Sequence, residues 1–480
     1  MTNADIGADL GLIEQADDAV PIWPVAAADF AGWLAQQPAP VSQWLTAHRF
    51  AAKPGRFLTV PGKNGRVAGV VLGVDATPTL WNFAPLTQGL PAGRYRIEPL
   101  RRFDASVATH AALGWAYGGY TFARYRKAPK GDAGAALVWP ERADRDYVAI
   151  AAAASTIVRN LINTPAGDLG PADLAAVALN VATDLGATVE TIVGSELLTS
   201  GYPMVHAVGK AGRQEPRLVD IRWGEAKSKV PRVTLVGKGV CFDTGGLDIK
   251  PPDNMLLQKK DMSGAAICIG LLHMIAASGL DVGLRVLLPM VENSISSESY
   301  HPGDVLASRK GLTVEVGNTD AEGRLILADA LAEADRENPD LLIDFATLTG
   351  AARVALGPDL PALYGNDDAT ADALLAAGAA EADPAWRMPL WGPYDEMLDS
   401  KIADMNNVGG GGFAGSITAA LFLQRFVTRA DRWLHVDLYG WSPKPRPGRP
   451  EGAEPQSMRA VYRLIQQEFS GKPKKAKRRR

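Results

Sequence analysis

The sequence predicts an α/β protein of two domains, a smaller amino-terminal one and a larger carboxy-terminal one with a central, mostly buried mixed sheet flanked by helices. Three observations predict it. Beyond about residue 165, strand-like apolar runs (LVDIRW, VTLVGKGV, LRVLLPMV, LTVEVGN, LLIDFATL, WLHVDLYG) alternate with helix-forming segments that begin near Ser263, Gly323, Thr370, Gly415 and Gln456; such alternation builds a sheet covered by helices. Ahead of them, RDYVAIAAAASTIVRNLINTPAG favours helix throughout and stops at a proline and a glycine, as a connecting helix does. The first 140 residues or so differ again, with many tryptophans, short alternating strands such as RVAGVVLGV and a Gly/Tyr-rich piece, GWAYGGYTFARYR.

Taken in order, residues 1–140 form the amino-terminal domain, 141–165 the connecting helix, 166–470 the larger domain, and 471–480 a basic, disordered tail. The basic stretch KAPKGDAGA reads as a surface loop near the edge of the first domain. The chain has 480 residues, 47% hydrophobic and 21% charged, the balance of an ordinary globular protein with a real core. Its first twenty residues carry acids where a secretory leader has a basic, then apolar, segment. Apolar runs such as that from Tyr147 to Ala154 are far short of a membrane span. Two cysteines, Cys241 and Cys268, are too few for a disulfide framework or a thiolate metal cage. A cytoplasmic protein is expected.

Net charge is −3, but GKPKKAKRRR at the end holds seven positive charges and no acid, so the rest carries −10. An acidic body argues against a broad phosphate-binding face, leaving the tail as the one segment suited to nucleic acid or an acidic partner.

Charged residues gather at three strand exits of the larger domain, where open sheets of this class place their sites. VGKGVCFDTGGLDIKP sets Lys238, Asp243 and Lys250 among turn-forming glycines; QKKDMSGAAICIGLLHMI sets Asp261 before a helix of small apolar residues; NTDAEGRLILADAL sets Asp320, Glu322 and Arg324 at alternate positions before an apolar helix. Taken singly, Asp261 and Asp320 could be helix caps and Lys238 a solvated loop lysine. Together, converging carboxylates would repel unless cations neutralise them, so one or two divalent ions are the economical reading. A mostly oxygen donor set suits Mn, Mg or carboxylate-bound Zn. The sequence contains no HExxH, no GxSxG and no GxxxxGK[ST], and Phe242 stands where a dinucleotide fingerprint needs its last glycine.

The same three clusters closely resemble the leucyl aminopeptidases, the cytosolic two-metal peptidases. NTDAEGRL is that family's signature octapeptide, and the lysine of IKP follows Asp243 by seven residues and precedes Asp261 by eleven, the family spacing. The resemblance runs from about 145 to 465. It implies that Lys238, Asp243, Asp261, Asp320 and Glu322 hold two divalent ions, Mn or Zn, with Asp243 and Glu322 bridging, Lys238 joining as a neutral amine, and a water shared by the ions as nucleophile. It also implies that Asp261 helps fix the substrate's free amino group, that Lys250 stabilises the gem-diolate, and that Arg324 holds a bicarbonate general base. Substrates would be short peptides cut at the first bond. The first side-chain pocket would involve Thr347, Leu348 and Gly350 of ATLTG together with Gln258, which stands where the family usually has methionine and so argues against the familiar leucine preference. His301 replaces a usual arginine, and His435 reads as a core or interface histidine. The family assembles as a hexamer with a separate amino-terminal α/β domain, and some members act on DNA, the alternative role that the basic tail suggests here.

Overall fold

In a computed structural model the described residues are 10–62, 65–98, 103–126, 134–224 and 230–469. The reading of a surface loop at 127–133, that of the basic tail at 471–480 and part of the leader reading (1–9) lie outside them. The chain divides into two compact units, Met1–Thr156 with Pro443–Gly452, and Ile157–Ser442 with the segment from Ala453 onward. The boundary falls inside the continuous helix Arg145–Asn163.

The first unit is an α/β unit with a six-stranded sheet in the order Leu12–Ile13, Ala135–Val138, Gly93–Ile97, Val20–Ala26, Val67–Val74, Phe57–Pro61. All neighbours are parallel except the edge strand Phe57–Pro61. Val67–Val74 was expected to alternate, yet it is buried without interruption from Gly69 onward. It lies between two strands and is covered on both faces, the situation that selects continuous apolar runs. The first six residues of the Gly/Tyr-rich piece close the helix Ala105–Gly119, and the rest follow it. Its glycines permit close packing, since a Cβ at Gly114 or Gly118 would sit 2.2 Å from the carbonyl oxygen of Leu80 or Ala84. The proline-rich segment Pro443–Gly452 packs in the same unit, with the Arg449 guanidinium 3.7 Å from the centre of the Trp81 ring.

The second unit carries the larger mixed sheet. Its order is Trp386–Arg387, Ala362–Gly365, Trp433–Asp437, Leu341–Ala346, Arg232–Gly237, Gly283–Asn293, Arg217–Trp223, Thr188–Val193, and the short strand Gly239–Asp243 joins the far end of Gly283–Asn293. The four central strands are mutually parallel. The helix Ser263–Ala277 packs on one face beside Pro171–Asp184 and Met458–Phe469; Glu322–Arg336, Pro203–Gly209 and Gly415–Gln424 cover the other. Thr313–Glu315, expected among the sheet strands, instead joins a separate small sheet with Val305–Ala307 and Met405–Asn406.

Within Pro252–Ala277 an apolar window is long enough to pass for a membrane span, but 89% of that window is buried inside the protein, so it is a core helix. It presses hard on the sheet: a Cβ at Gly264 would sit 2.0 Å from the Phe345 carbonyl oxygen. All four central strands therefore deliver their carboxyl ends, at Asp437, Ala346, Gly237 and Asn293, to the same edge of a rigid core.

Candidate metal centre and active site

Lys238 leaves the strand Arg232–Gly237, Asp243 closes the strand Gly239–Asp243, and Thr347 follows Leu341–Ala346. Asp261 ends a 3-10 turn, Gln258–Lys260, and Glu322 opens the helix Glu322–Arg336. Neither carboxylate caps a helix: the residues at those N-caps are Met262 and Ala321, with no side-chain capping bond. The alternative reading of Asp261 and Asp320 as plain caps therefore fails.

The Lys238 ammonium is buried between Asp261 Oδ2 (2.7 Å) and Glu322 Oε1 (2.8 Å) and donates to the Thr347 carbonyl (3.2 Å). Gly323 makes room for it, because a Cβ there would lie 2.5 Å from Lys238 Cε and 2.6 Å from Nζ. Lys250 pairs with Asp243 Oδ2 at 2.7 Å and also with Asp320. Asp243, Asp320 and Glu322 each present a ligand oxygen within 4.8 Å of the others. Thr347 Oγ1 donates to Asp261 Oδ1 (2.5 Å), and the Leu348 amide donates to Asp437 Oδ1 (3.0 Å). Gln258, partly exposed, donates to the Asn254 carbonyl (2.8 Å), and Gly350 opens the helix Gly350–Leu356.

Four carboxylates face two ammonium groups in this cluster, and the protonation balance shows the strain. Burial pulls Lys238 and Lys250 towards neutrality, but the surrounding acids outweigh it and both are raised. Burial opposes ionisation of Asp261 too, yet Lys238 holds its pKa below the usual range. Glu322 goes the other way: burial and the neighbouring Asp243 push it up to about 8, and the same two causes push Asp320 to about 6. Lys238 thus keeps Asp261 ionised and leaves Glu322 under-compensated, although both carboxylates touch it. Glu322 Oε2 is buried without a hydrogen-bond donor among the described residues. A buried acceptor with no donor, inside an oxygen-rich cluster with excess negative charge, is what a divalent cation satisfies, so these residues fit a metal centre.

Chelator-treated protein gives this imbalance a measurable consequence. A carboxyl group whose folded pKa is raised contributes stability below its unfolded pKa and loses it as pH climbs through the folded value. Glu322→Gln keeps the shape and stays neutral, so wild type should lose stability relative to this variant as pH rises from 4.5 to about 8. Melting curves of both proteins across that window check it; a constant difference would contradict it.

Sequence reasoning missed the residues that hold the cluster in place. Asn293 Nδ2 donates to Asp243 Oδ1 (2.8 Å) and to the Thr319 carbonyl (3.1 Å). Tyr300 donates to the same carbonyl (2.6 Å), and Thr319 Oγ1 donates to the Gly245 carbonyl (2.6 Å), tying the first and third clusters together. Asn407 accepts from the Gly317 amide (2.8 Å) and donates to the Asn318 carbonyl (2.8 Å). Asn293 stands at a strand exit and could have been found by that position; Asn407 lies in a short connection with no sequence signal. Arg324 makes no ion pair with the cluster. It is buried, bound through Nη1 to the Asn407 carbonyl (2.6 Å), and Nε has no partner among the described residues. Burial lowers its pKa to about 10. His301 is exposed beside Asp304, away from these contacts. His435 is a core residue whose Nδ1 lies 2.5 Å from Asp344 and whose Nε2 is unpartnered.

The model of the cytosol aminopeptidase family catalytic domain matches residues 156–462, and that of the M17 aminopeptidase N-terminal domain matches 20–140. The chain belongs to the cytosol aminopeptidase family. It is therefore a metal-dependent aminopeptidase, a metallo-exopeptidase of two α/β domains. Among relatives of this family, a probable cytosol aminopeptidase of Caulobacter vibrioides is 38% identical over 446 residues, covering 88% of this chain and 90% of its own. Another, of Roseiflexus castenholzii, is 43% identical over 312 residues, 64% of each chain. The crystal structure of the cytosol aminopeptidase from Coxiella burnetii superposes with a TM-score of 0.91 at 44% identity, covering 96% of this chain and 99% of that one. The bottromycin maturation enzyme BotP in complex with Mn superposes with a TM-score of 0.84 at 31% identity, covering 94% of this chain and 99% of that one.

Proposed function

We propose that the cluster holds two divalent ions through Lys238, Asp243, Asp261, Asp320 and Glu322, with Lys238 entering as a neutral amine, and that the enzyme removes the first residue of short peptides. The observation that carries this reading is the convergence of Asp243, Asp320 and Glu322 within 4.8 Å around a buried, donor-less Glu322 oxygen. When bound, such ions supply Lewis acidity and bring the pKa of water from about 15.7 towards ~7.

The chain's own residues do the rest. Asp261, fixed by Thr347 and two residues ahead of the Ser263–Ala277 helix, is suited to orient the amino group of the substrate. Lys250 is a cation on a glycine-braced turn, suited to the negative charge that develops on the attacked carbonyl oxygen; Gly245 and Gly246, with φ of +87° and +65°, set that turn. Arg324, clamped at Nη1 and without a partner at Nε among the described residues, is suited to hold a small anion; bicarbonate held there would supply a general base. Thr347, Leu348, Gly350 and Gln258 border the pocket for the first side chain.

Manganese is the first metal to try, given the BotP complex, with zinc next. A cytoplasmic homohexamer completes the reading; full activity from a stable monomer in sedimentation would remove the hexamer. Gly323→Ala tests the ligand set. The added methyl displaces only the flexible end of Lys238, so the fold should survive while metal retention falls about 10- to 100-fold, measured by competition with a chelator. Unchanged retention would remove Lys238 from the set.

A further inference from the structure

One residue before Asp261, the pocket wall does something the ligand set does not require. Lys260 is only 5% exposed, yet its ammonium makes no hydrogen bond or ion pair among the described residues. Its contact is the face of Tyr439, 4.7 Å from the ring centre. The Arg353 guanidinium lies over the same ring at 5.2 Å and is likewise outside any ion pair among the described residues. The nearby acids are already engaged. Asp261 uses its oxygens on Thr347 and Lys238, and Asp437 uses its own on the Leu348 and Thr349 amides and the Thr349 hydroxyl.

These cations stand where the first side chain would go. Lys260 ends the turn that starts at Gln258; Arg353 lies one helical turn after Gly350, and its Nη2 is 3.8 Å from where a Cβ at Gly350 would be. Tyr439 follows the strand whose Asp437 fixes Leu348, and Gln456 holds its amide at 3.1 Å. An ammonium on a largely buried side chain with no directly bonded carboxylate is a partner for a ligand's negative charge, and a ring face offsets only part of its lost hydration.

From this geometry we infer that Lys260 and Arg353 make the first side-chain pocket selective for a carboxylate, so that peptides beginning with Glu or Asp are the preferred class. This rests on the aminopeptidase reading of the same site. Gln258 fits it, since its amide adds a polar wall that an aliphatic side chain cannot use and an acidic one can.

The test uses full-length, manganese-loaded enzyme and glutamyl, glutaminyl and leucyl amides, which lack the terminal carboxylate that a dipeptide would add. Wild type should favour the glutamyl over the glutaminyl amide by on the order of tenfold in kcat/KM, mainly through KM. Lys260→Met and Arg353→Ala should each bring that ratio towards one, and Lys260→Arg should restore it. Calorimetry with free L-glutamate and L-glutamine gives the same comparison without turnover. Arg353 is exposed, so its variant keeps the test open if the buried substitution unfolds the chain. Leucyl amide turned over with no preference for glutamyl, or a ratio unmoved by Arg353→Ala, overturns the inference and leaves the aminopeptidase standing. No hydrolysis of any amide overturns both.

Discussion

Glu322→Gln is expected to lower hydrolysis of aminoacyl amides by on the order of 10³-fold or more. The change removes one charge and almost no volume. Glu322 lies at the mouth of the helix Glu322–Arg336, whose apolar face enters the main core through Leu325, Ile326, Leu327 and Leu331. Nothing in that packing depends on the carboxylate's charge, and burial with Asp243 already drives the group towards its neutral form in the protein alone. The fold should therefore persist, or gain stability above neutral pH, while cation binding fails. Steady-state assay beside a melting curve separates the outcomes: turnover retained with the fold intact would remove Glu322 from the metal centre, and Asp261→Asn should behave alike.

The second large effect is at Lys250. Its ammonium pairs with Asp243 and Asp320 and has no core-packing role, being on a turn whose neighbours Ile249 and Leu247 are exposed. Lys250→Met keeps the stem and removes the charge. If Lys250 stabilises the developing oxyanion, kcat should fall on the order of 10² to 10³ while KM changes little, because the interaction strengthens only in the transition state. A loss confined to KM would reassign Lys250 to ground-state binding.

Much of this was legible in the sequence because the relevant residues are adjacent along the chain or separated by fixed turns. The alternation of strand and helix, the helix Arg145–Asn163 and the three charged clusters needed only local pattern, and NTDAEGRL with the spacing of the lysine and aspartates before it carried the family; only the first cluster sits at a strand end of the main sheet. What escaped depends on long-range packing. Asn407 reaches the third cluster from a short connection near 406, and Asn293 meets Asp243 only because two strands pair. The continuous burial of Val67–Val74 follows from its place between two strands, and the side sheet around Thr313–Glu315 from pairing with Met405–Asn406. Lys259 and Lys260 are adjacent in the sequence; only the fold shows Lys260 buried against Tyr439 while Lys259 turns to the Asn163 carbonyl.

The central claim is that two divalent ions bound by this cluster make the enzyme work. Elemental analysis during stepwise return of Mn, Zn, Co or Mg to chelator-treated protein, with aminoacyl amide hydrolysis followed in the same samples, tests it most directly. Activity should be absent at first and reach its plateau as occupancy approaches two ions per chain. Full turnover from protein carrying a negligible metal content would contradict the account.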